Sequence, residues 1–567
     1  MFCSFFSHPQ NSTQDLILRF PHLYEQIFQK LDNESVFKCR EVARSWQNMI
    51  DERNYPWLCI VNIPTILTRQ NTYLHLAAKT GQAKAFKTAM NEEQDKTIKN
   101  DLGETFFHLA CKNGHPNIVL LLLKNTAVFF DCADLQIYAN IKDNYDILNT
   151  KTKKGNTAFH IACQEGHSEV VKIFMEYAFI LSIDLNIKTK NGSTAFHITC
   201  KKGHSEVVKI FMKYAFTLSI DLNVKTKKGS TAFSIACEEG HSDVVMIFME
   251  NAVALSIDLN TTDKHGCTGF YRACYKVHLL VIRILMKNSA TLGIDLSIKD
   301  DNGCTAFLMA NITSIENGLD VIRIFIEYAS TLSIDLNQKT QNGQTAFHMA
   351  CGRGQLEVVQ IFMENSTPLS IDLSAEDNDG FTPFLTACER GQMDVVQMLM
   401  ECAPLLSIDL YTKTNNGNTA FHIACEEGHA NVIKIIMENA AAFNLDLNMK
   451  NNDGMTAFHL ACISGKESMT RFTSSVVFKN LDVIRLFMEN TSALNINLLG
   501  TKNNDGQTVF HLACISGCAE VIYYLKNKLG VVDFANIQGY TIRVVQKPSS
   551  FRFPTFPLRK VLWQMNG

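Results

Sequence analysis

Gly155-Asn-Thr-Ala-Phe-His-Ile-Ala-Cys-Gln-Glu-Gly-His-Ser-Glu-Val-Val171 returns almost unchanged from Gly192 and again from Gly417. Self-similarity of this kind decides the architecture before any single residue does. Thr157 is a good helix N-cap, and His160, three residues on, can reach back to it in the manner of a capping box. Phe159, Ile161, Ala162 and Cys163 then give a short apolar helix with small residues where a neighbour packs closely. Gly166 ends it in a left-handed conformation that costs glycine little. Ser168 is expected to cap a second helix, in which Val170, Val171, Ile173, Phe174 and Met175 recur at helical spacing. Leu181 to Asn186 reads as an extended connector to a turn of the Lys153-Lys154 type. One such unit cannot bury its own apolar faces, so the units must stack.

Marking each unit by its threonine gives Thr72, Thr105, Thr157, Thr194, Thr231, Thr268, Thr305, Thr345, Thr382, Thr419, Thr456 and Thr508, with a partial unit at Thr541. Most intervals are 37 residues, the first and last are 33, and two are 52. The long ones hold insertions near Phe129–Leu148 and Lys466–Lys479, both expected to be loops. The pattern resembles the ankyrin repeat, with its period of about 33 residues and its T-P-L-H-x-A signature. Here Ala usually replaces Pro, though Thr382-Pro383 keeps it, and Phe usually replaces Leu. The resemblance implies an all-α solenoid of helix–turn–helix units with projecting finger turns, over residues 62–545. It also implies that ligands meet the finger turns and the exposed end of the first helix.

Residues 16–57 break that pattern. Phe20-Pro21, Leu23, Ile27-Phe28 and Leu31, followed by Val36, Cys39, Val42 and Trp46, resemble an F-box. From Ile27 to Trp46 the apolar spacing fits that family without a gap. Before Ile27 the match is one residue short after the proline, and Phe20 stands where Leu is usual. Val42, Trp46, Met49 and Ile50 give the last helix one apolar face. The resemblance implies a small three-helix module docking a Skp-type adaptor of a cullin–RING ubiquitin ligase. Pro21, Leu23, Ile27, Phe28 and Leu31 would lead the contacts, with Val36, Cys39, Val42 and Trp46 completing them. The alternative reading is a helical cap on the first repeat, which a solenoid needs in any case, and both roles could hold together.

Composition narrows the classes. Hydrophobic residues at 46% and charged residues at 19% fit a folded chain, and its 567 residues exceed one ordinary core. A net charge of −3 argues against a general nucleic-acid binder. Met1–Gln10 lacks a basic start and a sustained apolar run, so it reads as a poor signal peptide. No apolar run is long enough to insert in a membrane, Ile118–Phe130 being broken by Lys124 and Asn125. Ten of the 18 cysteines hold one register (Cys111, Cys163, Cys200, Cys237, Cys274, Cys351, Cys388, Cys425, Cys462, Cys514). Equivalent helices stacked about 8–10 Å apart lie beyond the roughly 7 Å Cα limit for a disulfide. These are core thiols, and the expected compartment is reducing: cytoplasm or nucleus.

No catalytic motif stands out: P-loop, G-x-G-x-x-G, H-E-x-x-H and G-x-S-x-G are all missing from the sequence. His160 and Cys163 share a helix face, but each unit offers two metal ligands where a closed zinc site needs four. The expectation is a binding subunit with no metal, no cofactor and no catalytic residues of its own.

The expected target-binding surface comprises Lys153, Lys154, Lys190, Lys201, Lys202, Lys227, Lys228, Lys264, Tyr275 and Lys276, then Asp379, Phe381, Glu389, Glu426 and Glu427. Residues 151–228 hold 13 lysines against 6 acids, whereas residues 353–454 hold 5 bases against 15 acids. Such a division can orient a protein partner, or it can simply keep two faces solvated. Thr268–Asp320 is the least regular stretch. There Val277 replaces the helix-ending glycine, Tyr271-Arg272 replaces His-Ile, and three residues are inserted within Asn311–Gly318. It reads as a bend, a specialised contact or drift in a tolerant array. Residues 1–15 are expected to be disordered; the tail, 546–567, with Phe551, Phe553, Phe556 and Trp563, fits either a cap or a docking peptide. The first functional reading is thus a substrate receptor of the ligase, and the second is a non-ligase scaffold or cytoskeletal adaptor.

Overall fold

In the computed structural model, the described residues are 72–92, 98–128, 147–181, 183–311, 315–463, 482–487, 489–490, 501–516 and 522. The F-box-like segment, the first residues of the repeat range, most of both long insertions, the partial unit at Thr541 and the tail lie outside them. The chain divides into two compact units, Met1–Asp295 and Leu296–Gly567.

Unit 1 contains paired helices: α1 Tyr73–Thr80 with α2 Ala83–Glu92, α3 Phe106–Lys112 with α4 Pro116–Val128, and α5 Ala158–Glu165 with α6 Ser168–Ala178. These are followed by α7 Ala195–Lys202 with α8 Ser205–Tyr214, α9 Ala232–Glu239 with α10 Ser242–Asn251, and α11 Gly269–Tyr275 with α12 Leu279–Leu292. Unit 2 contains α13 Ala306–Ala310, α14 Ile315–Ala329, α15 Ala346–Arg353, α16 Leu356–Glu364, the single turn α17 Ser366–Leu369 and α18 Pro383–Glu389. It continues with α19 Met393–Leu406, α20 Ala420–Glu427, α21 Ala430–Asn439, α22 Ala457–Ile463 and α23 Val509–Ser516. A helix begins directly after every one of the threonines from Thr72 to Thr508. The only extended pairing among the described residues is an isolated bridge between Lys502 and Thr508.

First helices of five to eight residues are too short to persist alone; caps and stacking hold them. In α5 the Thr157 hydroxyl accepts the His160 backbone N–H, and the His160 Nδ1 accepts the Thr157 backbone N–H at 3.3 Å. Nδ1 is therefore an acceptor, which leaves the ring proton on Nε2. Where a carbonyl of the following repeat is in reach, that proton finds it: His197 Nε2 lies 2.9 Å from Val224 O, and His348 Nε2 lies 2.9 Å from Phe381 O. One imidazole thus caps its own helix and ties it to its neighbour.

The glycine after the first helix has two duties. Gly166 is left-handed at φ 79°, and a Cβ built on it would lie 2.6 Å from Nδ1 of His204, from the next repeat. His204 in turn places Nε2 2.8 Å from Gln164 O, a carbonyl left open at the end of α5. The arrangement repeats at Gly203 with His241, at Gly240 with His278 and at Gly391 with His429. The histidine also occupies the N-cap position of the second helix. Ser168 is the first residue inside α6, and His167 is the cap, without a side-chain cap bond. The expected serine cap is corrected accordingly: the unit's own His167, its Nε2 3.0 Å from Lys112 O of the preceding repeat, fixes the chain entry instead.

Phenylalanine replaces leucine because the rings interlock between repeats. Phe159 packs on Phe174 at 5.2 Å and on Phe211 at 5.8 Å; Phe196 continues to Phe211 at 4.9 Å and Phe248 at 5.8 Å. In unit 2, Phe307 and Phe347 both meet Phe362. Each such pair adds about 0.5–1.5 kcal/mol beyond burial. The register cysteines from Cys111 to Cys462 are buried beside them. Burial pushes the thiols from Cys111 to Cys425 in this register far above the ordinary range, which makes them inert packing residues.

The connector is not simply extended. Ile183 and Leu185 are buried anchors, and Asp184 closes a turn by accepting Asn186 N–H. In later repeats it opens on a left-handed non-glycine residue: Ser219, Ser256, Ser333, Ser370, Ser407 and Asn444 have φ of 49–55°. Asparagine then joins neighbouring connectors. Asn223 donates to Ser256 O and accepts from Asp258 N–H, and Asn260 does the same with Gly293 and Asp295. The extra length beyond a 33-residue period therefore builds a second inter-repeat seam.

Candidate protein-binding site

Each finger turn is built by a residue with a short polar side chain. Thr152 accepts the Asn156 backbone N–H through its hydroxyl, while Gly155 N–H donates to Thr152 O at 2.8 Å. Asp263 and Asp377 do the same work with a carboxylate. Successive turns are then joined tip to tip by main-chain bonds: Lys227 N–H to Asn191 O at 3.1 Å, and Lys264 N–H to Lys228 O at 3.0 Å in unit 1. Asn415 N–H to Asp379 O at 3.0 Å does the same in unit 2.

The tip residue four positions before the threonine differs between the units. In unit 1 it is Lys153, Lys190, Lys227 and Lys264, all exposed. Their stems cross the preceding turn: a Cβ on Gly155 would meet Lys190 Cγ at 3.2 Å. Among the described residues no carboxylate pairs with these four ammonium groups. In unit 2 the same position holds Asp301, then Gln341, Asn378, Asn415, Asn452 and Asn504. Each of these amides donates to a carbonyl of the preceding turn, as in Asn378 to Gln341 O at 2.8 Å and Asn415 to Asn378 O at 2.9 Å.

A second lysine row, two positions earlier, is structural. Lys225 Nζ donates to Thr262 O at 3.0 Å, Lys339 to Glu376 O at 2.7 Å and Lys450 to Lys502 O at 2.8 Å. Sequence alone could not separate it from the tip row, because both are exposed cations at the same period.

Other expected surface residues divide similarly. Lys154, Lys202, Lys228, Tyr275 and Lys276 are exposed, with Lys276 Nζ 5.5 Å from the Tyr275 ring centre. Lys201 is exposed and pairs with Glu239 at 3.6 Å. Asp379, Glu426 and Glu427 are exposed, whereas Glu389 is half-buried. Burial raises the Glu389 carboxyl, aided by the nearby Glu427 and Asp377 and opposed by Arg390. Phe381 is half-buried rather than displayed, and its carbonyl is taken by His348.

In the irregular stretch, Arg272 Nε donates to Asp263 at 3.0 Å. Burial pushes that carboxyl up, but the arginine and the N–H groups of His265 and Cys267 outweigh it and hold it below its usual range. Val277 keeps the left-handed backbone of the glycine it replaces, at φ 61°. The inserted residues are accommodated in part by an early start to α14 at Ile315. Sequence reading missed Phe179 and Phe216, which follow the second helix in consecutive repeats and are 82% and 86% exposed. A large aromatic breaking the helical period directly after the apolar stripe was the available signal.

The model for ankyrin repeats (three copies) matches residues 57–134, 74–189, 127–221, 175–263, 213–300, 309–409 and 401–473, together more than half of the chain. The chain belongs to the ankyrin-repeat proteins. No family model for an F-box matches residues 16–57. Among solved structures, the ankyrin repeat domain of Bcl-3, described as a unique member of the IkappaB protein family, is similar at 21% identity. That match covers 45% of this chain and 100% of that one, with a TM-score of 0.34. No curated protein matches the chain. Ankyrin repeats indicate a protein-binding role. No helix among the described residues is long and apolar enough to cross a membrane.

Proposed function

We propose that this ankyrin-repeat protein is the substrate-recognition subunit of an SCF-type cullin–RING ubiquitin ligase. The observation that carries the reading is the apolar spacing from Ile27 to Trp46, which fits an F-box without a gap and stands outside the repeat register. In this reading residues 16–57 dock a Skp-type adaptor and, through it, the cullin core. The finger turns and first-helix ends hold a protein target. The chain contributes proximity, raising the target's effective concentration at a ubiquitin-conjugating enzyme whose chemistry belongs to other subunits. A cytoplasmic or nuclear setting suits it, since core thiols such as Cys163 and Cys200 persist where disulfides do not.

The test is a pull-down of the purified Skp-type adaptor by the full chain, against a Leu23→Ala, Ile27→Ala, Phe28→Ala variant. Recovery by the wild type alone is expected. If neither recovers the adaptor while circular dichroism shows a folded stack, the ligase role fails. The non-ligase scaffold, with residues 16–57 as a cap, then takes its place.

A further inference from the structure

The four tip lysines of unit 1 form a comb. The turns of Lys190, Lys227 and Lys264 are tied in order by main-chain bonds, and the Lys190 stem lies against Gly155 in the turn of Lys153. Stacked helices lie about 8–10 Å apart, so successive ammonium groups recur at roughly that interval. The comb is bounded on its N-terminal side, where the equivalent residue is Asp101. A partner that satisfies all four must offer anionic groups on one face at the same pitch. An extended β-strand does not, because it alternates faces and repeats every two residues, about 6.6–6.8 Å. A polyproline-II segment does: three residues per turn at about 3.1 Å each give a same-face repeat of about 9.3 Å. Its backbone has no internal hydrogen bonds, so it loses little on docking.

We infer that the finger-turn edge formed by Lys153, Lys190, Lys227 and Lys264 binds an acidic protein segment in the polyproline-II conformation, with one carboxylate at every third residue. This rests on the finger turns being the target-binding edge and is independent of the ligase assignment. Lys154 and Lys228 flank the comb and add positive potential, while Lys225 is occupied by Thr262 O and takes no part. Nucleic acid is the competing polyanion. Single-stranded nucleic acid is held by aromatic side chains on which bases stack, and the tip row and the residues that follow it (Lys154, Asn191, Lys228, His265) present neither Phe, Tyr nor Trp. Asp101 further bounds a well-matched segment at one end, since a carboxylate in register there would face a like charge.

The experiment uses the full-length chain and fluorescent peptides. One is a twelve-residue (Glu-Pro-Pro) repeat; the other has identical composition with its glutamates in adjacent pairs. The evenly spaced peptide is expected to bind at least about tenfold more tightly, with affinity falling as salt rises. Lys153→Gln, Lys190→Gln and Lys227→Gln together should remove at least about nine-tenths of that affinity while leaving the helical circular dichroism unchanged. Equal affinity for the two peptides would overturn the inference, as would indifference to the triple substitution or tighter binding of a dT12 oligonucleotide. A chain that recovers the Skp-type adaptor but binds neither peptide sinks this inference alone. A chain that binds the spaced peptide but not the adaptor sinks only the ligase reading.

Discussion

The finger turns of the two units share one backbone and differ in what their tips do. In unit 1 the tip lysines leave their charges in solvent, and the turns are joined by main-chain bonds such as Lys264 N–H to Lys228 O. In unit 2 the tip asparagines add a side-chain bond on top of the main-chain one, as Asn452 does with Asn415 O at 2.9 Å. The same position is spent on display in one unit and on cohesion in the other. A repeat array can therefore vary this edge without touching its core, because the tip residue lies outside the buried packing that the repeats share.

If only the tips differ, a condition acting on the shared frame should affect both units alike, and acid is that condition. Burial lowers the imidazoles of His108 and His197 to about 4, and lowers those of His348 and His422 in the same direction. The folded state resists protonation that the unfolded chain accepts near 6.5. Stability is thus fully present above pH 6.5 and is lost as pH falls from there toward about 4. This should be the largest effect: the denaturation midpoint drops steeply across that window, and hydrogen exchange rises in both units. Loss confined to one unit would break the shared-frame account.

Exchanging the tips sharpens it. Asn378→Lys, Asn415→Lys and Asn452→Lys together remove three side-chain bonds at roughly 0.5–1 kcal/mol each. About 2 kcal/mol of stability should vanish, read by denaturant unfolding, with faster exchange in unit 2 alone. The irregular repeat offers a gain. Val277→Gly relieves a left-handed β-branched residue and should stabilise by about 1 kcal/mol, while Gly203→Val should not be tolerated against His241. The smallest expected effect is Lys190→Asn with Lys227→Asn. It should add a few tenths of a kcal/mol per new bond if the amides reach the preceding carbonyls, and should weaken binding of the spaced acidic peptide several-fold. An unchanged affinity would show that the comb is not the edge that binds.

What could be read from sequence was whatever recurs for a local reason. Thr157, His160, Gly166 and Cys163 announced a capped helix, its stop and its packing face, and the helices stand at those positions. What escaped depends on the neighbour. Ser168 looked like a cap because serine is a good one, yet His167 holds that place, fixed by the repeat before it. Lys225 and Lys227 look equivalent as exposed cations, but the first reaches Thr262 O and the second does not. Left-handed serines such as Ser256 carry no signature, since serine is ordinary in a turn. For the tip row, period and charge were legible; the clamp made by asparagine in unit 2 was not, because it runs to a carbonyl 37 residues away.

The pairing of Gly166 with His204 has a consequence for how such a chain can be edited. A cassette excised from one threonine to the next carries a socket for the imidazole that comes after it and a plug for the glycine that came before. Duplicating a cassette beside itself preserves every match, whereas shuffling one lacking the glycine ahead of one bearing the histidine does not. Tandem duplication is then the conservative way to lengthen the array, and the near-identity of the stretches from Gly155 and Gly192 is the trace such growth would leave.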